Sequence, residues 1–505
     1  MKFWIVPIFL LLAGASPAPT AATDSDAIKA ILGETREAWH APGLAAAVVH
    51  NGEIRYLGGV GVRELGSDKM VTAETLFPIG SCTKAFTATA LAMLVDEGKA
   101  GWDDPVRKHL PWFRLDDPFA DRDVRLRDLL CHRIGLARHD LLWYRAPWSV
   151  EESVRRMAFL ERSTSFRSTF EYNNLAYLAA GLTISSIAKQ PWHEFVHERL
   201  FKPLKMNKAV FTSGDARKAP NHASPHGHDA GGKVVVIPWY DDDKQIRASG
   251  SIKANVGDLS NWLRFQLNRG KYEGKSLVSA DTLEETHTGQ KTVEKMSAAA
   301  RAAGAIQVNY GLGWYISEYH GCGILEHGGA VDGFRARIIL VPKKKLGLVL
   351  LTNLEDMEIV NAAGNNLLDH LLGLGKKDWN DFFKKEREKA ETARKERLEK
   401  RPQRIGGAKR SRELDAYTGT YREPAYGTVT ITRDGDSLVL KWSSFQLRMK
   451  PFHYDTFVTP PKDRRVPAAV ADEFATFEMN EDAEFTILRF LGRKFVRDKP
   501  RQGAS

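Results

Sequence analysis

The chain has 505 residues, of which 43% are hydrophobic, and carries a formal net charge of +10. This composition is typical of a globular protein, and the length allows two or three domains. Three cysteines exclude a disulfide scaffold. The basic excess lies mainly at residues 376–412 and 343–345. No zinc-finger spacing, RNP-like stretch or phosphate-binding glycine loop accompanies it, so no nucleic-acid partner is expected.

The N-terminus has the pattern of an export signal. Met1-Lys2 is a short basic start, and residues 3–12 form an apolar core that is too short to span a bilayer comfortably. Ala13-Gly14-Ala15 then offers small residues for cleavage. We expect residues 1–15 to be a signal peptide, with an uncleaved anchor as the alternative. The mature protein is then periplasmic or secreted, and no later stretch predicts a membrane span.

A helix and a β-hairpin are predicted next. Apolar residues recur at helical spacing over residues 24–39, and Pro42-Gly43 ends that pattern. Residues 44–49 have the pattern of a buried strand, and Asn51-Gly52 is a hairpin turn signal before a return strand that begins at residue 54.

A serine and a lysine begin the next helical stretch. Ser81 follows Gly80, and Lys84 stands three positions later, so both side chains project on the same side of a helix. The amine can take the hydroxyl proton, and the free N–H groups of the first turn favour developing negative charge. Ser-x-x-Lys also occurs by chance in a chain of this length. Cys82 has no local histidine partner, and a buried apolar thiol is its simpler interpretation.

An all-helical region is predicted from about residue 136 to residue 207. Just before it, His132 is expected to cap a loop rather than act as a base. Tyr172 and Asn174 are two residues apart and cannot share a helix face, so we expect them on a loop before the helix at residues 175–187. A nearby ammonium favours the ionised phenol, which makes Tyr172 a candidate general base. The Asn174 amide can donate to a substrate carbonyl, although packing beside a helix cap is the commoner role for such a pair.

The polar segment 221–244 is predicted to be a surface loop or lid. His222, His226 and His228 lie in it, but neither Glu nor Cys completes a plausible ligand set, so no metal site is predicted. A helix follows near residues 257–267, and the stretch 289–305 is expected to be more mobile.

Strand patterns return in the C-terminal part of this region, at residues 310–316, 324–330, 334–342 and 346–353, followed by a helix at 357–372. The glycines after His327, including Gly329, let backbone approach a ligand closely. The N–H of Ala330 is a candidate second oxyanion donor. Residues 376–412 predict a solvated helical linker, and short strands from residue 417 onward predict a small barrel or sandwich.

Three motifs stand in order along the chain: Ser81-x-x-Lys84, Tyr172-x-Asn174 and His327-Gly328-Gly329. In this order the sequence resembles the serine β-lactamase and penicillin-recognising peptidase and esterase family, in its class C β-lactamase-like branch. Flanking residues that also fit are Phe77-Pro78-Ile79-Gly80, Asp103-Asp104-Pro105-Val106, Asp128-Leu129-Leu130, Gly135-Leu136 and Thr352-Asn353.

The resemblance implies a β-lactamase/transpeptidase-like α/β (α+β) fold, with an antiparallel sheet flanked by helices, an all-α region and the active site between them. The expected organisation is a hydrolase domain at residues 24–372, a charged helical linker at 373–412 and an all-β domain at 413–500. That tail resembles the lipocalin-like β-domain that some family members carry.

The resemblance also implies the site roles. Ser81 would form an acyl-enzyme, while Lys84 and Tyr172 would share the proton transfers. Asn174, His327 and Gly329 would contact a small-molecule or peptide substrate. The N–H groups of Ser81 and Ala330 would form the oxyanion hole. Neither a metal nor an organic cofactor is expected.

One departure from the family pattern bears on the substrate. Class C β-lactamases usually have Lys-Thr-Gly where this chain has His327-Gly328-Gly329, and an unperturbed histidine is mostly neutral at pH 7. A peptidase or esterase is therefore expected ahead of a true β-lactamase, with a slowly deacylating penicillin-binding sensor or a non-catalytic binding protein as further alternatives. Whether Arg335 or Arg337 faces the cleft is open, as are the natural substrate and the oligomeric state.

Overall fold

The computed structural model describes residues 21–498 except residue 376 and residues 462–469. The expected signal peptide, residues 1–15, lies outside the described residues. Of the described helices, none combines the length and the apolar character needed to cross a bilayer.

The first part of the chain is organised around one antiparallel sheet. Its strands and the short strands beside it are β1 Gly43–His50, β2 Glu53–Gly61, β3 Phe77–Pro78, β4 His226–His228, β5 Val234–Val236, β6 Lys253–Ala254, β7 Lys271–Tyr272, β8 Lys275–Ser276, β9 Lys291–Thr292, β10 Asn309–Tyr310, β11 Tyr315–Tyr319, β12 Cys322–Val331, β13 Phe334–Val341 and β14 Leu346–Thr352. Among the described residues the sheet has eight strands, in the order β2-β1-β14-β13-β12-β11-β10-β9. Every residue of β14 is buried, because helices cover both faces of the sheet.

Helices form a layer on each face of the sheet. The α-helices are α1 Ala21–Ala38, α2 Thr83–Asp96, α3 Val106–His109, α4 Pro118–Asp123, α5 Leu126–Leu130, α6 Val150–Arg155, α7 Asn174–Ala188, α8 Trp192–Val196, α9 Ser213–Lys218, α10 Val256–Leu267, α11 Ala280–Thr286, α12 Ala298–Ala302, α13 Met357–Leu371 and α14 Trp379–Glu399. Helices α1 and α13 bury their apolar faces on one side of the sheet. Helices α2 and α10 pack on the other side, and the predicted all-α region, which includes α6 to α8, packs on α2 through α7 and α8.

Two segments predicted to be irregular contain regular structure. The loop at 221–244 includes the hairpin of β4 and β5, and His226 is buried there with its Nε2 accepting from the Leu65 N–H at 3.1 Å. The stretch at 289–305, expected to be mobile, contains β9 at the sheet edge and α12. Both segments gain their order from partners distant in sequence, which local composition does not reveal.

The charged linker is helical, as predicted, but its first turn is not solvated. Trp379 is fully buried, and its Nε1 donates to Asp369 Oδ2 on α13 at 2.7 Å. Phe383, one turn later, is also buried. Trp379 and Phe383 attach the start of α14 to the sheet-and-helix body. In the sequence they are surrounded by many Lys, Glu and Arg residues, which is why the whole segment was predicted to be solvated.

The C-terminal strands close into a barrel. They are β15 Gly419–Glu423, β16 Gly427–Asp434, β17 Ser437–Trp442, β18 Phe445–His453, β19 Thr456–Val458, β20 Phe474–Met479, β21 Phe485–Phe490 and β22 Arg493–Arg497. Each strand pairs with the next in sequence, and β15 pairs with β22. This is an up-and-down barrel of eight described strands, the architecture expected for the tail. Aromatic rings fill it, with Tyr417 stacked on Phe485 at 4.2 Å between centroids.

The barrel contacts the all-α region of the body at two places. The Tyr426 hydroxyl lies 3.0 Å from His139 Nδ1, and Arg156 Nη1 donates to the Ala425 carbonyl at 2.8 Å. Arg493 lies over the Tyr426 ring at 5.2 Å. His139 stands between two residues that line the cleft described below, so the barrel contacts the back of that wall.

Candidate active site

Ser81 lies in a short 3₁₀ turn, Gly80–Cys82, that leads directly into α2. The turn is fixed on its N-terminal side, because β3 pairs with β6 and the Ile79 N–H donates to the Ile252 carbonyl at 3.0 Å. Gly80 has φ +50°, a conformation that glycine adopts at little cost. The chain thus turns sharply from a strand into a helix with the Ser81 side chain facing a cleft.

Strand β12 runs very close to this turn. A Cβ atom on Gly329 would lie 1.8 Å from the Ile79 carbonyl oxygen, and one on Gly80 would lie 2.6 Å from the Ala330 nitrogen. The Cys82 thiol donates to the His327 carbonyl at 3.1 Å. Gly329, predicted as a substrate contact, is therefore also required for packing, since no larger residue fits between the turn and the strand.

Burial explains the character of Cys82. Its side chain is fully buried, and desolvation raises the pKa of the thiol to about 12. A buried, protonated thiol that donates to a backbone carbonyl is a poor nucleophile, in agreement with the interpretation of Cys82 as a small apolar side chain.

Lys84 lies next to Ser81 as the spacing predicts. Its Nζ is 3.0 Å from Ser81 Oγ, and it also donates to Asn174 Oδ1 and to the Ser249 carbonyl, both at 2.8 Å. Burial lowers the pKa of the Lys84 amine well below its ordinary value of 10.5, and the nearby Arg138 charge lowers it further. A neutral amine at hydrogen-bond distance from a serine hydroxyl can accept the hydroxyl proton.

Tyr172 lines the same cleft as Ser81, but its protonation differs from the expectation. Lys84 Nζ lies 4.9 Å from the centroid of the Tyr172 ring. Burial nevertheless raises the pKa of Tyr172 far above its ordinary value. The expected ionised phenol is thus wrong for this site, because desolvation outweighs the neighbouring charges. A protonated phenol can donate a proton, and the Lys84 amine, 3.0 Å from Ser81 Oγ, is the candidate base.

Asn174 begins α7, one residue earlier than predicted, and Asn173 caps that helix by accepting from the Ala176 N–H at 3.0 Å. The Asn174 amide bridges two side chains: its Oδ1 accepts from Lys84, and its Nδ2 donates to Asp140 Oδ1 at 2.8 Å. One Nδ2 proton is not used in these contacts and can be donated to a substrate carbonyl. The contact of Asn174 with substrate stays a prediction.

Arg138 and Asp140 are cleft residues that the sequence analysis missed. Arg138 lies over the Tyr172 ring at 5.0 Å and donates from Nε to Asp140 Oδ2 at 2.7 Å. Through Asn174, Asp140 is linked to Lys84. The available signal was the polar cluster Arg138-His139-Asp140 after Gly135-Leu136, in a region that is otherwise apolar and helical.

His327 lines the cleft but is held from within the protein. Its Nδ1 lies 2.6 Å from the Gly328 carbonyl, and its Nε2 lies 3.0 Å from the Tyr310 hydroxyl. A carbonyl only accepts, so Nδ1 carries the proton and Nε2 accepts from Tyr310. Burial, followed by the Lys84 charge, lowers the pKa of His327 to about 3. The ring is therefore neutral at pH 7, and its predicted contact with substrate stays a prediction.

His132 is structural, as expected. Its Nδ1 accepts from the Asn173 N–H at 3.0 Å, which ties the loop before α7 to the end of α5. The ring is buried and packs on Tyr172 at 4.4 Å between centroids. Burial lowers the pKa of His132 well below its ordinary value, so this neutral ring positions Tyr172.

The cleft in front of Ser81 has a volume of about 560 Å³. Aromatic and charged side chains share its wall. They include Arg138, Asp140, Trp143, Tyr144, Tyr172, Tyr240, Asp242, Arg247, Lys253, Tyr315 and Asp332. Ser81 and Ala330 both line it as well.

The two arginines left open by the sequence do not belong to the cleft lining. Arg337 is paired with Glu326 at 2.6 Å and donates to Asn365 Oδ1 on α13 at 2.9 Å. Arg335 donates to the backbone carbonyls of Val331 and Phe334. The cations in the cleft wall come instead from segments distant in sequence, such as the turn that contains Arg247 and the short strand β6 that contains Lys253, and both residues were missed for that reason. In the part of the chain that the structure describes, no three His, Cys, Asp or Glu side chains converge on a potential metal position.

Family models match both halves of the chain. Residues 28–372 match the model described as Beta-lactamase. Residues 403–498 match a model described as a domain of unknown function, DUF3471, and this segment contains the whole barrel.

Individual relatives extend the likeness over most of the chain. An unguisins hydrolase of Aspergillus campestris is 29% identical over 441 residues, which cover 81% of this chain and 78% of that relative. The octameric penicillin-binding protein homologue from Pyrococcus abyssi has a TM-score of 0.64 at 21% identity, covering 94% of this chain and 99% of that one. A D-stereospecific amidohydrolase from Streptomyces sp. has a TM-score of 0.53 at 23% identity, covering 68% and 98%.

Proposed function

The chain belongs to the Beta-lactamase family of serine hydrolases, and from this premise we propose that it cleaves an ester or amide through an acyl-enzyme on Ser81, as a peptidase or esterase. One observation carries the proposal. The Lys84 amine, whose pKa burial lowers, lies 3.0 Å from Ser81 Oγ. A hydroxyl becomes a nucleophile when a neutral base lies within hydrogen-bond reach.

Acylation follows from the positions of the side chains. Ser81 Oγ attacks the substrate carbonyl carbon while the Lys84 amine takes its proton. The carbonyl oxygen becomes an oxyanion, which the N–H groups of Ser81 and Ala330 stabilise. When the tetrahedral intermediate collapses, the alcohol or amine leaves with a proton from Tyr172, and the Lys84 ammonium returns a proton to Tyr172. The products of this half-reaction are the acyl-serine ester and the free leaving group.

Deacylation uses the Lys84 amine as the base a second time. Water attacks the acyl carbonyl, and its proton passes to the Lys84 amine. Collapse expels Ser81 Oγ, which takes that proton back, and the acid product leaves. The contacts of Lys84 with Asn174 and the Ser249 carbonyl hold the amine in position through both half-reactions.

The neutral His327 supports a peptidase or esterase ahead of a β-lactamase. The pKa of about 3 that burial gives this ring leaves no cation at the position where class C β-lactamases carry a lysine. The name of one similar protein, an unguisins hydrolase, supports hydrolysis, and the name of another, a D-stereospecific amidohydrolase, supports hydrolysis of an amide.

The test is acylation and turnover by the purified mature protein, with Ser81→Ala beside it and Ser67→Ala, a partly exposed serine outside the cleft lining, as the matched control. The probes are p-nitrophenyl esters, a D-amino-acid peptide and nitrocefin, followed by intact mass spectrometry. We expect an acyl adduct and turnover in the wild type and in Ser67→Ala, and neither in Ser81→Ala. Equal activity in all three proteins would overturn the Ser81 assignment. Preferred turnover of nitrocefin would instead identify a β-lactamase, and an adduct without turnover would identify a sensor.

We also propose that the protein acts in the periplasm or outside the cell. The short basic start, the apolar run at residues 3–12 and the small residues before Ser16 support this. Cell fractionation and N-terminal sequencing of the product test it. A mature chain that begins at Ser16 supports the proposal, and a full-length chain in the cytoplasm contradicts it.

A further inference from the structure

Arg247 is a cation in the cleft wall that has no carboxylate partner among the described residues. The residue is 4% exposed and lines the cleft beside Ser81. Its Nη1 donates to Gln245 Oε1 at 2.8 Å, and its Nη2 donates to the Tyr240 hydroxyl at 2.7 Å. Both acceptors are neutral, so neither hydrogen bond pairs the guanidinium with a negative charge.

The other charged groups of the same wall are matched. Arg138 pairs with Asp140 at 2.7 Å, and Lys253 pairs with Asp242. Asp332 is paired with Arg145 at 2.9 Å and accepts from the Tyr144 hydroxyl at 2.8 Å. Burying an unpaired charge costs several kcal/mol in general, which a negatively charged ligand in the cleft can repay.

The position of Arg247 connects it to the reacting groups. The residue lies in a tight turn in which the N–H groups of Gly250 and Ser251 both donate to the Arg247 carbonyl. The same turn carries Ser249, whose carbonyl accepts from Lys84 at 2.8 Å. Two residues of backbone span at most about 7 Å, so the backbone of Arg247 lies within the length of a small substrate from the base.

The surroundings of the guanidinium also suit a ligand. It lies 5.5 Å from the Trp143 ring and 5.2 Å from the Tyr240 ring, measured to the centroids. These rings restrict the orientation of the planar group and exclude water from its faces. A guanidinium has five N–H donors in a fixed plane and binds carboxylates in a bidentate manner, and the described residues engage only part of that set.

We propose that Arg247 anchors a carboxylate of the substrate, so that the preferred substrates are acidic peptides or esters rather than neutral ones. This inference rests on the proposed function, because it assigns a substrate class to the Ser81 cleft. The carboxylate belongs to a part of the substrate that does not react, and the anchor orients the scissile carbonyl towards Ser81. Since a β-lactam also carries a carboxylate, the nitrocefin arm of the preceding experiment separates that substrate from a peptide.

The experiment measures binding without chemistry, in the Ser81→Ala protein. One probe pair is N-acetyl-D-Ala-D-Ala with a free C-terminus or as its amide. The other is D-Ala p-nitroanilide with an N-succinyl or an N-acetyl group, which places the carboxylate on the acyl side. Calorimetry gives the four affinities for Ser81→Ala alone and combined with Arg247→Met, Arg247→Lys or Arg269→Met, the last being an exposed arginine that controls for net charge.

In at least one pair, we expect the probe that carries a carboxylate to bind about tenfold more tightly than the neutral probe. This ratio corresponds to the usual contribution of a hydrogen bond to a charged group. Arg247→Met should remove that ratio, Arg247→Lys should retain part of it, and Arg269→Met should retain it fully. A carboxylate preference that is absent, or that survives Arg247→Met, overturns the inference. Adduct formation on Ser81 with neutral p-nitrophenyl acetate is measured separately in the wild type, so a failure of the proposed function is recognised independently.

Discussion

The cleft around Ser81 and the interior of the C-terminal barrel are both buried, but they are filled by different chemistry. In the cleft, Lys84 and Asn174 are buried polar groups that bond to one another. In the barrel, Tyr417 packs on the rings of Phe477 and Phe485 at 5.1 and 4.2 Å between centroids. Aromatic burial stabilises a fold, whereas buried polar groups cost free energy unless each finds a partner.

This difference separates the roles of the two regions. The cleft retains groups that a core optimised for stability would exclude, and their pKa values are displaced as a result. The barrel follows the ordinary rules of an apolar interior and, in the part of the chain that the structure describes, contacts the back of the cleft wall where Tyr426 meets His139. We therefore expect substitutions in the cleft to change the chemistry, and substitutions in the barrel to change stability.

The largest effect is expected from Lys84→Met. Removing the base should lower the acylation rate of p-nitrophenyl esters by about 10³-fold, within the range for a general base. Stopped-flow release of p-nitrophenol measures this rate, and circular dichroism checks that the variant is folded. Lys99→Met, an exposed lysine just after α2, is the matched control and should acylate at the wild-type rate. An acylation rate in Lys84→Met within tenfold of the wild type would show that another group is the base.

The pH dependence of the same reaction provides a second test of Lys84. Only the neutral amine accepts the serine proton, so kcat/KM should rise with pH through the pKa of Lys84 and then level off. Because burial lowers that pKa, the midpoint should lie well below the ordinary 10.5. Burial also lowers the pKa values of His132 and His327. We therefore expect no additional change in kcat/KM near pH 6.5, where an unperturbed histidine titrates. A midpoint near 10.5 in a kcat/KM profile would contradict the assignment.

An intermediate effect is expected from Gly329→Ala. The added Cβ would lie 1.8 Å from the Ile79 carbonyl oxygen. Strand β12 must therefore move away from the turn that carries Ser81. A misplacement of about 1 Å can cost about 10²-fold in rate, and overpacking costs about 1–3 kcal/mol of stability. Gly323→Ala, in the same strand but with open space around it, is the control. The catalytic rate is measured as kcat/KM, and the stability is measured by urea unfolding. Equal behaviour of the two variants would mean that the close approach does not position Ser81.

The smallest effect on activity is expected from Phe477→Ala in the barrel. Its ring is buried among Tyr417, Phe457 and Phe485, and truncating a buried phenylalanine costs about 3–5 kcal/mol. Met479→Ala, at an exposed position of the same strand, should cost far less. Thermal unfolding measures the loss, and kcat/KM of the folded protein should stay within about twofold. A tenfold fall in kcat/KM at full folding would break the separation of roles and show that the barrel sets the cleft geometry.

Much of the fold and part of the site follow from local sequence. The spacing of Ser81 and Lys84 at the first turn of a helix correctly predicts that these two side chains meet. That Asn174 lies in the same site as Lys84 was implied by the family resemblance and not by spacing. The strands around His327 and the barrel also follow from alternation and turn signals. These features depend on periodicity and on residues close in sequence, which a single chain displays directly.

Only the tertiary structure decided the protonation of Tyr172, the partners of Asn174 and the positions of Arg138, Asp140 and Arg247. Each depends on burial or on contacts between residues that are far apart in sequence. Desolvation raises the pKa of Tyr172, whereas the sequence predicted a lowered one. The start of the linker is buried and not solvated, because Trp379 packs against α13 and donates to Asp369. The sequence by itself thus predicted that Ser81, Lys84 and Tyr172 belong to one candidate site. Packing determined their charge and their neighbours, because desolvation depends on every element that surrounds a side chain.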